Sequence, residues 1–305
     1  MKKIFFLVFF FSLITCFSQQ LPQLTLRSFD YTVFNPASNG IKPYSEIMLH
    51  HRSQWVGFTN APNTQFLTYN GKINEIMGIG SYIMNDITGP TRRFSASVAY
   101  NYKAKFENFR LSLGLAAGIM QYGIDGNKIS LYQINDNVIA EHISMKSICP
   151  NVDFGAWLYN DKFYTGISIM QLLGNKIKFK AENINTTINL VNHFYITSGY
   201  KIELNKEIML QPSFLVGGTF GTPLLIDLGL RVDFFQEKIT AGIGFRTNDA
   251  IVLLAGVKIK NQFTIAYSYD IVFSTLRKYN SGSHDIILSF YFLQKNKHGR
   301  FRKYH

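Results

Sequence analysis

Residues able to do chemistry are scattered through this sequence, and their spacing argues against most of the chemistry they could do. His50 and His51 are adjacent. On a strand their imidazoles fall on opposite faces and cannot chelate one metal together. His142, His193 and His284 are isolated, and no Cys/His/Asp group has zinc spacing. Serines, histidines and aspartates are present, but no Gly-x-Ser-x-Gly elbow exposes a nucleophile. Gly78-Ile79-Gly80 and Gly242-Ile243-Gly244 lie in strand-like runs with no helix after them. That context excludes a phosphate loop and fits small residues on a lumen face or close contact with a plug. Asp227, Arg231 and Asp233 share one face of such a run, a pattern suited to a wet lumen. The stretch best suited to binding is Arg52-Ser53-Gln54-Trp55-Val56-Gly57-Phe58. Exposed Trp and Arg often anchor interfaces, so Arg52, Gln54, Trp55 and Phe58 are candidate partner-binding residues. The same residue types also brace the rim of a membrane protein. No catalytic residue, metal site or cofactor is expected.

The elements that would position these residues follow from composition and periodicity. Charged residues make up 16% of the 305-residue chain, below the quarter or so usual in soluble domains. Aromatics reach 15%, with 27 Phe and 17 Tyr. The mean hydropathy of +0.02 is too low for a bundle of membrane helices. It fits a barrel in which every second residue faces lipid. The net charge is +12, but the basic residues are dispersed, with one dense cluster at Lys295 to Lys303. A dispersed excess does not make a nucleic-acid footprint, and no nucleic-acid partner is expected.

Met1-Lys2-Lys3, an apolar run from Ile4 to Ile14 and a polar stretch after it describe a signal peptide over residues 1–18. A lipoprotein site at Cys16 is the alternative. With cleavage after Ser18, Cys149 is the remaining cysteine of two, and no intramolecular disulfide can form. Residues 19–43 have weak periodicity and the turn signals Asn35-Pro36 and Asn39-Gly40. They read as an irregular lead-in packed against or inside the barrel.

From Tyr44 onward the chain alternates with period two. Strands are expected over 44–54, 63–73, 75–85, 92–106, 109–123, 150–160, 162–171, 192–204, 207–218, 223–234, 237–246, 249–259, 262–272 and 284–293. Their length, and aromatics near their ends, suit a membrane crossing. The fold class is therefore all-β: a transmembrane antiparallel up-and-down β-barrel over 44–293, of about 14 strands. The even connections are all tight, whereas the long ones (55–62, 124–149, 172–191, 273–283) fall on the odd set, together with the shorter 86–91, 219–222 and 247–248. That asymmetry predicts short periplasmic turns and longer extracellular loops in the cell outer membrane. A further hairpin inside 124–149 is an open alternative. Residues 294–305 form a basic tail.

Several blocks resemble the PorP/SprF family of type IX secretion system outer-membrane proteins from Bacteroidetes. They are Asn35-Pro36-Ala37, then Arg52-Ser53-Gln54-Trp55-Val56-Gly57-Phe58 with Ala61-Pro62-Asn63-Thr64, and Asp86-Ile87-Thr88-Gly89-Pro90. Leu111 to Gly118, Tyr267-Ser268-Tyr269-Asp270 and Ser281-Gly282-Ser283-His284-Asp285 complete the set. Two departures stand out: Asn60 where glycine is expected, and the tail after the final strand. The resemblance implies a non-enzymatic outer-membrane component supporting secretion or surface attachment of large cargo, such as gliding adhesins. It implies partners among the other secretion subunits and a cargo protein with a C-terminal sorting domain, besides membrane lipid. On the same architecture, the alternative is a passive porin or small-molecule transporter.

Overall fold

The computed structural model describes residues 25–129, 144–181, 184–273, 277 and 279–293. The signal peptide, the Cys16 alternative, the basic tail and most of the hairpin considered within 124–149 lie outside the described residues. The first half of the wall comprises β1 (Tyr44–Ser53), β2 (Asn63–Lys72), β3 (Met77–Thr88), β4 (Thr91–Phe106), β5 (Phe109–Ile124), β6 (Met145–Tyr159) and β7 (Phe163–Met170). A separate hairpin, β8 (Lys176–Ala181) and β9 (Ile184–Asn189), comes next. The second half is β10 (His193–Tyr200) with its continuation β11 (Ile202–Glu203), β12 (Ile208–Gly218), β13 (Leu225–Phe234), β14 (Ile239–Arg246), β15 (Ala250–Ile259), β16 (Phe263–Val272) and β17 (Ser283–Leu293). Neighbours in sequence pair antiparallel, and β1 pairs with β17, closing a barrel of 14 strands.

The wall inverts the burial of a soluble protein. On β1 the inward residues Glu46, Met48, His50 and Arg52 are buried, while Ile47 and Leu49 are exposed. On β15 Ile251, Leu253 and Val257 are exposed and Val252 and Leu254 are buried. Apolar outward and polar inward is the pattern of a barrel in lipid. The short-turn end is closed by tight reversals, with left-handed backbone at Phe235, Gln236 and Glu237 and at Lys260 and Asn261. The opposite end bears the longer connections.

Four expectations need correction. The stretch 172–191 is no plain loop, because it contains the β8–β9 hairpin. Strand β6 begins at Met145, five residues before 150. Pro150 therefore lies inside the strand, and β7 pairs with β6 only from Phe154 onward. At Pro150 one side of β6 is thus locally an edge, where a missing N–H is tolerated. The run 192–204 is interrupted at Lys201, where the ladder to β12 skips from Gly199–Ser213 to Ile202–Leu210 past Pro212 without a change of register. The connection expected over 86–91 shrinks to Gly89-Pro90, so Asp86 lies inside β3.

Residues 25–43 occupy the lumen as two short 3-10 turns (Thr25–Ser28 and Pro36–Ser38) joined by irregular chain. Asn35 caps the second turn by accepting from the Ala37 N–H at 2.9 Å, with Pro36 at its first position. The segment runs down the barrel. Thr25 bonds Asp285, near the long-loop end, whereas Lys42 bonds Glu46 near the short-turn end. Its apolar side chains complete the interior: Phe34 packs edge-on against Tyr195, and Tyr31 lies against Trp157 and Tyr164.

Candidate functional site: a plugged lumen under a braced rim

The inward residues near the long-loop end form a buried ionic belt across β13, β14, β16, β17 and β1. Arg52 reaches Asp270 at 2.7 Å and also pairs with Asp285. His50 Nε2 lies 2.6 Å from Asp285 Oδ1, and the Ser268 hydroxyl donates to the same carboxylate at 3.1 Å. Arg246 meets Asp270 at 3.0 Å, Asp249 at 2.9 Å and Asp227 at 3.5 Å. Arg27 of the plug pairs with Asp227 and donates to Ser213 at 3.0 Å. Both Arg52 and Arg246 are essentially inaccessible to solvent. A buried ion pair gains little over apolar packing, but it punishes any arrangement that separates the partners. The belt thus fixes the register of plug against wall. A second cluster lies on β2–β4, where Asp86 accepts from Thr64 at 2.6 Å and from Arg93 at 2.7 Å.

Further down, the plug is held by amides. Asn35 Nδ2 donates to the carbonyls of Ala156 (3.2 Å) and Ile167 (2.9 Å), and Asn101 donates to those of Ala37 and Asn39. Asp30 is tied to Thr32 and Asn70, and the Gly40 N–H donates to Asn70 at 2.7 Å. Several glycines of the wall lie directly against the plug. A Cβ on Gly155 would lie 2.0 Å from Asn35 Oδ1, and one on Gly114 would lie 2.4 Å from the Ala37 nitrogen. Gly78 and Gly80 similarly abut Asn39, as expected for a plug contact, whereas Gly242 and Gly244 face Leu254 and Val252. A cavity of about 10 Å³ beside Thr32, Tyr82 and Asp153 has room for about one water. Burial opposes the charge on Lys42, but the Glu46 carboxylate together with Tyr44, Asp30 and Tyr291 outweighs it and raises the pKa. In a short turn, burial opposes the charge on Glu237, but Lys258 together with Arg231 and Lys201 outweighs it and holds the carboxyl below the usual range.

The belt supports a rim built from the family-like sequence blocks. The Gln54 N–H donates to Pro62, Val56 N–H to Gly282, Ser281 N–H to Val56, and Gly89 N–H to Asn60, all within 3.0 Å. The Trp55 N–H donates to the Ser283 hydroxyl at 3.1 Å. Asn60 has φ +61°, so the position where glycine is expected does need left-handed backbone, which Asn tolerates. Gly57 (φ +111°) and Gly282 (φ +89°) complete the loop geometry. His284 bonds Tyr267 on the outward face, and Asp270 sits inside beneath Gly282. Arg52 is therefore internal, Gln54, Trp55 and Phe58 are half-buried on the rim, and Val56 and Tyr279 are exposed. Arg246 and Arg27 are site residues that sequence reasoning did not single out, whereas Asp227 was read as a lumen charge, Asp285 as a member of a block and His50 only as a residue unable to share a metal with His51. The signal available for Arg246 is a charge at an inward position near one end of a strand.

Across the mouth, the β8–β9 hairpin buries Ile177 and Phe179 against Met120, Met145, Cys149 and Leu190. Cys149 thus packs as an apolar residue. Among the described residues no group of three or more His, Cys, Asp or Glu side chains could hold a metal.

A family model for type IX secretion system membrane proteins, PorP/SprF, matches residues 16–290. The chain belongs to the PorP/SprF family. Within that family assignment, the asparagine-proline of the plug, the Arg52 block and the Asp270 and Asp285 blocks meet in one lumen and its rim. No curated protein sequence matches the chain. The toluene transporter TodX of P. putida superposes with a TM-score of 0.50 at 8% identity, covering 87% of this chain and 94% of that one. A FadL homologue from Pseudomonas aeruginosa gives a TM-score of 0.49 at 11% identity, over 86% and 92% of the two chains. The TodX likeness concerns the barrel fold alone.

Proposed function

We propose that this PorP/SprF protein is a non-enzymatic component of the outer membrane that supports secretion or surface attachment of large cargo by binding cargo and other secretion subunits at its long-loop end. The observation that carries this reading is the filled lumen: residues 25–43 are bonded to the wall from Thr25 down to Lys42. A lumen occupied in this way counts against a passive open porin. It leaves the surfaces of the barrel to act. The braced rim around Trp55, Val56, Phe58 and Tyr279 is the surface best suited, because aromatic side chains on rigid backbone lose little entropy on docking.

The test is surface and medium proteomics of a deletion strain. Loss of one or a few large surface proteins is expected, with no swelling of liposomes containing the purified barrel. An unchanged surface proteome together with solute-permeable liposomes would sink the proposal in favour of a porin. Replacing Trp55→Ala together with Phe58→Ala is expected to leave the barrel folded, read as heat-modifiable gel mobility. Cargo at the surface should fall by about tenfold or more, the size of a two-residue interface anchor.

A further inference from the structure

On the lipid-facing wall near the long-loop end, the strand register sets two cations side by side. Arg92 on β4 and Lys146 on β6 are both paired with Gly123 of β5. Both side chains point outward and are exposed, the Arg92 side chain by 56%. Gly123 supplies no side chain between them, and a Cβ there would lie 3.6 Å from Lys146 Cγ. Two strand spacings separate the backbones, roughly 10 Å, a gap that long basic side chains close onto one bound anion. The carboxylate facing this pair belongs to Asp125. It lies 3.9 Å from Arg92 and also accepts from the Asn127 N–H and the Ser144 hydroxyl, so it neutralises the pair only in part. One step below, the same three strands present Phe94, Gln121 and Ile148, and Ile119 lies beyond them. Phe94, Ile119 and Ile148 are exposed on the outer wall, with Ile148 at 63%.

We propose that Arg92 and Lys146 form a binding site for the phosphate of an acylated lipid in the leaflet at the long-loop end. Arg supplies a planar fork that matches phosphate oxygens, and Lys supplies a second point charge. The apolar side chains beneath take the acyl chains. This combination selects a lipid over free phosphate, because free phosphate gains nothing from Phe94 and Ile148. The site is independent of the secretion role: lipid binding is read on purified protein and cargo on cells, so either can fail alone.

Lipid A is the probe, titrated against the full-length barrel in detergent by native mass spectrometry. Arg92→Gln with Lys146→Gln is expected to lower its affinity about 30-fold, from the loss of two cations at the membrane surface. Gly123→Leu, which keeps both charges but fills the gap between them, is expected to produce a loss of similar size. Phosphatidylcholine, whose choline offsets its phosphate, should bind wild type and variants alike, and heat-modifiable gel mobility should show each variant folded. Two results overturn the proposal. One is a folded double variant that binds lipid A as tightly as the wild type. The other is displacement of lipid A by millimolar inorganic phosphate, which would mark a free-phosphate site.

Discussion

Arg52→Ala is expected to destabilise the folded barrel by about 3–5 kcal/mol, because it strands two buried carboxylates. Asp270 would keep Arg246, but Asp285 would keep only His50 and hydroxyl donors. Unfolding in urea, monitored by heat-modifiable gel mobility, measures the loss as an earlier midpoint. Arg52→Lys is expected to recover only part of it, since one ammonium cannot hold both carboxylates in the fork geometry seen here. Adding Asp270→Asn and Asp285→Asn to Arg52→Ala removes the uncompensated charge and should restore most of the stability. If Arg52→Ala alone unfolds at the wild-type midpoint, the belt does not hold the wall. The comparison with Trp55→Ala and Phe58→Ala then separates two roles within one sequence block. Arg52 should move barrel stability and secretion together, and the rim aromatics should move secretion alone.

Removal of residues 25–41 is expected to turn an impermeable barrel into a conducting one. In the intact protein Tyr31, Phe34 and the Asn35-Pro36-Ala37 turn press against the wall, and the amides of Asn101 and Asn70 are spent on the plug. With the segment gone, water can reach Asp227, Asp285 and Asn70, so the freed polar groups are hydrated instead of stranded. The wall ladder is untouched, and the barrel should still fold. Liposome swelling with a small sugar should change from undetectable to readily measured. Gly155→Leu is the milder version, since the new side chain must displace Asn35 at a cost of about 1–3 kcal/mol. Should the truncated, folded barrel stay impermeable, the β8–β9 cap rather than the plug closes the lumen.

The wall was legible because a barrel in lipid writes its two environments into alternate residues. Ile226, Leu228 and Leu230 face outward and Asp227, Gly229 and Arg231 inward, as the alternation indicates. The even count and the loop asymmetry came from the same pattern. Legibility failed where one local rule was met by a compensation from elsewhere. Pro150 looks like a break, and only the short reach of β7 makes it harmless. The β8–β9 hairpin carries Ile177 and Phe179 in a run too short to stand out, and its burial depends on Met120 and Met145 from distant strands. In the site, Arg52 and Asp270 were visible as members of blocks, but their pairing was not, because 218 residues separate them. Asp285 stood within a block without its role. Nothing local in Arg27 announces a partner on β13.

The course of the plug has a kinetic consequence. Thr25 and Asp285 are 260 residues apart, and Arg27 and Asp227 are 200 apart. The first described residues therefore wait for strands near the far end of the wall before their contacts close. Contacts of such high order are reached slowly, since chain entropy must be lost before they contribute. Because β1 continues directly from the plug and seals against β17, a plug that entered late would have to thread through an end of the finished wall. Strands that instead wind around a segment preceding them in the chain trap it as the β1–β17 seam closes.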